Sequence, residues 1–452
     1  MLPAVASTPT LESAASMIRR LNAREITAEQ LVRAHIDHIS IVNPVVNAVV
    51  QVANNRALSE AAETDASWVE NGPSLRGLPF TVKDNFETAG IPTAVGVPER
   101  RGLVPEGDAA LIGHMRELGA ILVGKTNCPP WGAGIVTDNE VYGRTNNPYD
   151  PACTPGGSSG GEAAAVAAGM SPMGLGTDSG GSVRLPAHFC GVAAILPTAR
   201  VLPLSGVIDD DGMVGEVSDP RTRVGIMARR FDDLSTILHH MLPLRTRGEA
   251  NAPFVLPPHS EETVRGLRVA LSVGNEIVPP DDVTAAVVRH AGVALERASA
   301  LVDEIRLPQG GWEITRGVWR SYRGQMRSAE LYGLLRRWDG FRRDWNSFFQ
   351  RYDLMLSPVF PSAAPRHGEI DEAGVSYTAP ASLTESPSGT VRCGSSPEGL
   401  PIGVQLVAAP WNDYLVLAAA TVLEQELGGW APPPNLQEGR DQDRRGDSPS
   451  NE

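Results

Sequence analysis

One stretch constrains this chain more than any other: Pro155–Pro186, PGGSSGGEAAAVAAGMSPMGLGTDSGGSVRLP. Two glycine–serine clusters bracket it, GGSSGG at Gly156–Gly161 and SGGS at Ser179–Ser182. Glycine tolerates positive φ and close approach, so such turns bring several backbone N–H groups to bear on one small volume. Between the clusters, alanine-rich Glu162–Ala168 predicts a short helix, and Met173–Gly176 a brief strand leading into the second turn. A serine closing that turn stands beside donors able to stabilise an oxyanion.

The lysines narrow the chemistry. Of 39 basic residues only Lys83 and Lys125 are lysine; the rest are arginine. Arginine effectively never deprotonates, whereas a buried lysine can become a neutral base. Both lysines are therefore candidates for chemistry. Leu78–Val82 is β-prone and ends at Lys83, which places that amine at a strand end facing a cleft.

GGSSGG followed by GTDSGGSVRLPA, with LPFTVKD around Lys83, resembles the amidase signature family of serine hydrolases. Further matches are VGKTN (Val123–Asn127), GRTNNP (Gly143–Pro148) and GLPIGVQLV (Gly399–Val407), so the resemblance covers roughly Leu11–Leu423. It implies an α/β fold: a single amidase-signature domain, with a central mixed β-sheet covered by helices on both faces, over residues 1–436. It also implies roles. Ser182 is the nucleophile, Ser158 a bridging serine held by a cis peptide, and Lys83 the base behind it. The backbone N–H groups of Ser179, Gly180, Gly181 and Ser182 form the oxyanion hole, and Gly132 touches substrate. No metal or organic cofactor is implied. The chain departs from the family at Leu196 and Ala199, where lysine and glycine are usual, which leaves the local packing beside the site open.

Composition excludes other classes. A net charge of −14 argues against nucleic acid or an anionic membrane as chief partner. The expected partner is a small-molecule substrate, bound by a monomer or homodimer. The four cysteines are widely spaced without a C-x-x-C pair, which reads as reduced thiols in a cytoplasmic protein. The N-terminus lacks the basic and apolar regions of a signal peptide, and no apolar run reaches 18 residues.

Two competing motifs fail. Gly119–Thr126 (GAILVGKT) formally satisfies the phosphate-loop pattern. Its variable positions, however, are Ala-Ile-Leu-Val, which read as strand, and Asn127-Cys128-Pro129-Pro130 prevents a following helix. Ser158 and Ser159 also match the G-x-S-x-G elbow of another hydrolase fold, yet no histidine stands in a motif that would complete it.

In chain order, Leu11–Leu21 and Ala28–Ile41 predict helices after threonine caps, and Val45–Glu70 a long alanine-rich helix, together a helical layer over residues 10–70. Helices are also expected at Ala109–Leu118, Asp282–Ala300 and Asp413–Leu427, and strands at Ala120–Val123, Leu267–Ser272 and Asp353–Ser357. The run AHFCGV after Pro186 reads as entering a core strand. Ten of the 24 aromatics fall between Trp312 and Tyr352 at helical spacing; they either pack on the sheet or line a substrate entrance. Pro358–Pro397 reads as a mobile rim loop, and 437–452 as a disordered tail.

The function this reading favours is a free-standing amidase. It would act on a small hydrophobic amide, anilide or carbamate (a urethanase) through a Ser-cisSer-Lys triad and an acyl-enzyme. Alternatives are a glutaminase-type subunit of an aminoacyl-tRNA amidotransferase and a catalytically inactive scaffold, the latter opposed by the presence of all three side chains. Asp84 would hinder a neutral Lys83 if its carboxylate approached, so it is expected to point away. Thr177, Asp178 and Arg184 read as structural, the last two as a buried pair.

Overall fold

Short β-branched and glycine-spaced runs form the centre of the molecule. A computed structural model describes residues 9–434, apart from 71, 210–211, 215–218, 243, 245–253 and 323; the expected tail lies outside the described residues. The N-terminal helices are α1 (Ala14–Asn22) and α2 (Ala28–Val46), capped by Ser13 and Thr27, whose hydroxyls accept from amides three residues on. The long helix expected over Val45–Glu70 does not form. Helix α2 stops at Asn47, whose left-handed φ of 53° ends it. Val49–Val52 then forms strand β1, and α3 is Asn54–Ala66.

Strand β2 (Pro79–Lys83), helix α4 (Ala110–Glu117) and strand β3 (Ile121–Thr126) follow. Lys125 therefore lies within a strand, and only a 3-10 turn at Pro130–Gly132, not an α-helix, follows Thr126, which removes the phosphate-loop reading structurally. Helix α5 (Gly160–Ala167), strand β4 (Met173–Asp178), helix α6 (Arg184–Cys190) and strand β5 (Ala193–Leu196) come next. The AHFC run is thus helical, closed by Gly191 at φ 64°, and the strand starts only after it.

The remainder comprises β6 (Ile208–Asp209), β7 (Gly212–Met213), β8 (Arg223–Ala228), α7 (Phe231–Met241), β9 (Arg268–Leu271), α8 (Asp282–Arg297) and β10 (Leu301–Glu304). After these come α9 (Gly311–Tyr322), α10 (Ser328–Phe348), β11 (Leu354–Pro358), α11 (Ala379–Leu383), β12 (Ser388–Ser395), β13 (Pro401–Ala408) and α12 (Asp413–Leu427). The supposed rim loop, Pro358–Pro397, in fact carries α11 and the whole of β12.

Among the described residues the strands form one mixed sheet, in the order β1-β3-β2-β4-β8-β5-β12-β13-β11-β9-β10, with β6 and β7 as a separate ribbon. The α/β fold with a central mixed sheet is as expected. Strand β2 runs parallel to both β3 and β4, so their C-terminal ends lie side by side. That register sets Lys83, at the end of β2, beside Thr177, at the end of β4. The aromatic segment is mainly core: Trp338, Phe341, Trp345 and Phe348 are buried against Met355 of β11 and Val407 of β13. Trp312 instead lines a small surface cavity with Ser357 and Ser376.

Candidate active site

Lys83 is fully buried at the end of β2. Its Nζ donates to Ser158 Oγ at 2.7 Å and to Thr177 Oγ1 at 2.8 Å. Burial disfavours the ammonium and pushes its pKa down to about 8. Asp84 points elsewhere, as expected: one carboxylate oxygen lies 3.1 Å from Lys125 Nζ and the other accepts from the Val95 amide. Lys125 is thereby committed to Asp84 and to the Thr93 hydroxyl, and it plays no part beside Ser158.

Ser158 follows a cis peptide bond from Gly157 and is itself buried. It precedes α5, and the Ser159 amide donates to the Ser182 carbonyl at 3.0 Å. This bond ties the two glycine–serine turns together one residue beyond Ser158. Ser182 is half-buried, as are Ser179 and Gly180. Among the described residues, the amides of Ser179, Gly180 and Ser182 donate to no protein acceptor. The Gly181 amide differs, because it donates to Asp178 Oδ1 at 2.7 Å and so braces the turn. Gly132 lies against the amine: a Cβ added there would sit 3.3 Å from Lys83 Nζ. An amine poised to lose its proton near pH 8, a hydrogen-bonded alcohol, and a turn of free amides around a second alcohol make a site suited to acyl transfer.

A family model for amidases matches residues 30–311 and 311–417. The chain belongs to the amidase family. It is 30% identical to an indoleacetamide hydrolase of Bradyrhizobium diazoefficiens, over 92% of this chain and 86% of that protein. A glutamyl-tRNA(Gln) amidotransferase subunit from Symbiobacterium thermophilum is also 30% identical, over 90% of this chain and 95% of the relative. The solved structure of a 6-aminohexanoate cyclic dimer hydrolase with its substrate superposes with a TM-score of 0.83 at 25% identity, covering 95% and 100% of the two chains. This amidase is therefore a hydrolase of C–N amide bonds.

Buried charges shape the site of the amidase. Asp178 accepts from the amides of Gly181, Val183 and Arg184, and from Arg184 Nε and Nη2 at 3.0 and 2.9 Å. Burial alone would raise this carboxyl, but the Arg184 guanidinium more than reverses it and holds the group well below the usual carboxylate range. Arg184 extends the frame to the Thr378 carbonyl, Gln405 and Ser382. The expected buried pair is present, and it supports the turn of free amides from beneath.

Glu162 of α5 is the opposite case. Its carboxyl is fully buried, accepts from Thr126 at 2.8 Å and from Thr81, and has no cationic partner among the described residues. Burial raises its pKa to about 8, so at neutral pH it is folded in as the acid. A folded pKa above the unfolded value contributes stability that is complete below about 4.5 and is lost as pH rises through 8. Glu162→Gln, which does not titrate, is expected to flatten the fall in stability between pH 5 and 9, retaining roughly 4 kcal/mol at the alkaline end. Urea unfolding of both proteins across that range measures this; parallel pH profiles would contradict it.

Sequence reasoning missed two residues beside Lys83. Thr177, read as structural, is the second partner of Lys83. Asn85 donates to Thr177 Oγ1 at 3.2 Å. Register between β2 and β4 sets both contacts, and no local motif carries that information.

Proposed function

We propose that the amidase cleaves small apolar amides, free-standing, by a Ser182–Ser158–Lys83 relay. The observation that carries this reading is the buried Lys83 amine at 2.7 Å from Ser158, with no carboxylate in ion-pair contact among the described residues. With the amine neutral, that contact runs from the Ser158 hydroxyl to the lone pair. Ser182 Oγ attacks the carbonyl carbon while its proton passes to Ser158, whose own proton passes to Lys83. The amides of Ser179, Gly180 and Ser182 receive the oxyanion. The C–N bond then breaks as Ser158 protonates the departing nitrogen and Lys83 returns its proton to Ser158. Water hydrolyses the acyl-Ser182 ester by the same path.

An apolar amide is favoured by the cluster of Val95, Cys128, Ile208 and Trp131 beside the base, and by the indoleacetamide-cleaving relative. The amidotransferase relatives support a second reading, a glutaminase component of a larger complex. Purified chain assayed alone separates them: turnover of aryl and alkyl amides without a partner supports the first, and glutamine hydrolysis only in a complex supports the second. A fluorophosphonate should label the parent and fail to label Ser182→Ala.

The pH dependence follows from the base. Neutral Lys83 is the reactive form, so kcat/KM is expected to rise with pH, with a midpoint near 8. A profile flat from pH 6 to 9.5 would contradict this assignment.

A further inference from the structure

Trp131 takes no part in the relay, yet its backbone is held in an unusual state. Its φ is 59°, and Val95, its hydrogen-bond partner, has a φ of 52°. Bulky or β-branched residues in the left-handed region are true outliers; they persist only where the surroundings over-determine them, and they gather at functional sites.

Here the surroundings are specific. The Trp131 amide donates to the Val95 carbonyl at 2.9 Å. The Val95 amide donates to one Asp84 oxygen at 2.7 Å, and the other oxygen lies 3.1 Å from Lys125 Nζ. Lys125 is held in turn by the Thr93 hydroxyl at 2.6 Å. Asp84 and Lys125 are both fully buried. The second lysine of the chain, idle in the relay, thus anchors a strut that runs to Trp131.

The indole rests on Val95, Cys128 and Ile208, the Arg100 guanidinium lies 5.7 Å over its ring, and part of its surface stays open. Its neighbour Gly132 lies against the base, a Cβ there falling 3.3 Å from Lys83 Nζ, so the wall begins one residue from that contact. A tryptophan that only filled the core would need no left-handed backbone. One presented to a substrate offers a large, rigid apolar face at low entropic cost.

We infer that Trp131 is the specificity wall of this site: the planar apolar part of the amide lies against its indole, and the Lys125–Asp84–Val95 strut fixes that wall in place. The substrate class is then an arylalkyl or aryl amide, rather than a short aliphatic one. This deepens the amidase reading above and rests on it.

The test compares 2-phenylacetamide with acetamide. Trp131→Ala is expected to lower kcat/KM on 2-phenylacetamide about 30-fold and on acetamide less than about threefold, a difference of the size one apolar pocket can provide. Trp131→Phe should recover most of the loss. Equal losses on both substrates overturn the inference. Lys125→Met, where circular dichroism shows it folded, should reproduce the selective loss; a folded Lys125→Met with unchanged selectivity overturns the strut. Calorimetric binding of 2-phenylacetamide to Ser182→Ala, with and without Trp131→Ala, needs no turnover. A tenfold weakening supports the wall even if the parent cleaves no amide, in which case only the amidase reading falls; unchanged binding overturns the wall.

Discussion

Lys83→Arg is expected to lower kcat/KM on any amide by roughly 10⁴-fold, nearly as much as Lys83→Ala, because general-base catalysis contributes up to about that factor. Arginine keeps a basic side chain with N–H donors for Ser158 and Thr177, so the loss reports what it lacks. Its guanidinium stays protonated at every working pH and cannot take the Ser158 proton. Lys83 is also fully buried between Ser158 and Thr177, which leaves no room for a longer planar head. Steady-state kinetics on the same amide measure both variants. An arginine variant retaining a tenth of parental activity would remove Lys83 from the role of base.

Asp178→Asn is expected to destabilise the fold by about 3–5 kcal/mol, the usual result of leaving one member of a buried ion pair uncompensated. The carboxylate does more than neutralise Arg184. It accepts three turn amides, from Gly181, Val183 and Arg184, and an asparagine presents only one oxygen to them. The turn that carries the free amides should loosen, so hydrolysis should fall to about 1% or less even in protein that remains folded, since losing oxyanion donors costs on the order of 10²–10³ in kcat. Urea denaturation and kinetics on the folded fraction test the two effects separately. Parental stability in Asp178→Asn would show that the pair does not brace the turn.

Chemistry was more legible in this sequence than topology. Lys83 and the two glycine–serine turns are local motifs, and the rarity of lysine singled out Lys83 before any contact was known. Lys125 was singled out by the same argument, and the structure places it in the Asp84 ion pair instead. Where helices gave way to strands, the determining forces were non-local or lay in a single residue. Asn47 ended α2 through a left-handed cap that alanine-rich flanking sequence concealed. Strand β12 was hidden because it lacks bulky alternation. A Cβ at its Gly389 would fall 2.8 Å from Val416 of α12 and 3.0 Å from Phe231 of α7, so close helix packing demands small residues there. The helix in AHFC was masked by a short apolar run, whose period cannot separate strand from helix; Gly191 was its one legible stop signal. Thr177 and Asn85 could be placed at the base only once the pairing of β2 with β4 was known.

The central claim, that burial lets Lys83 give up its proton near pH 8 and so act as a base, can be read directly because the chain has only two lysines. NMR of protein labelled with ¹³Cε-lysine should show two signals, one of which disappears in Lys83→Arg. That signal is expected to titrate with a midpoint near 8; a Lys83 signal that stays that of an ammonium beyond pH 10 would contradict the account.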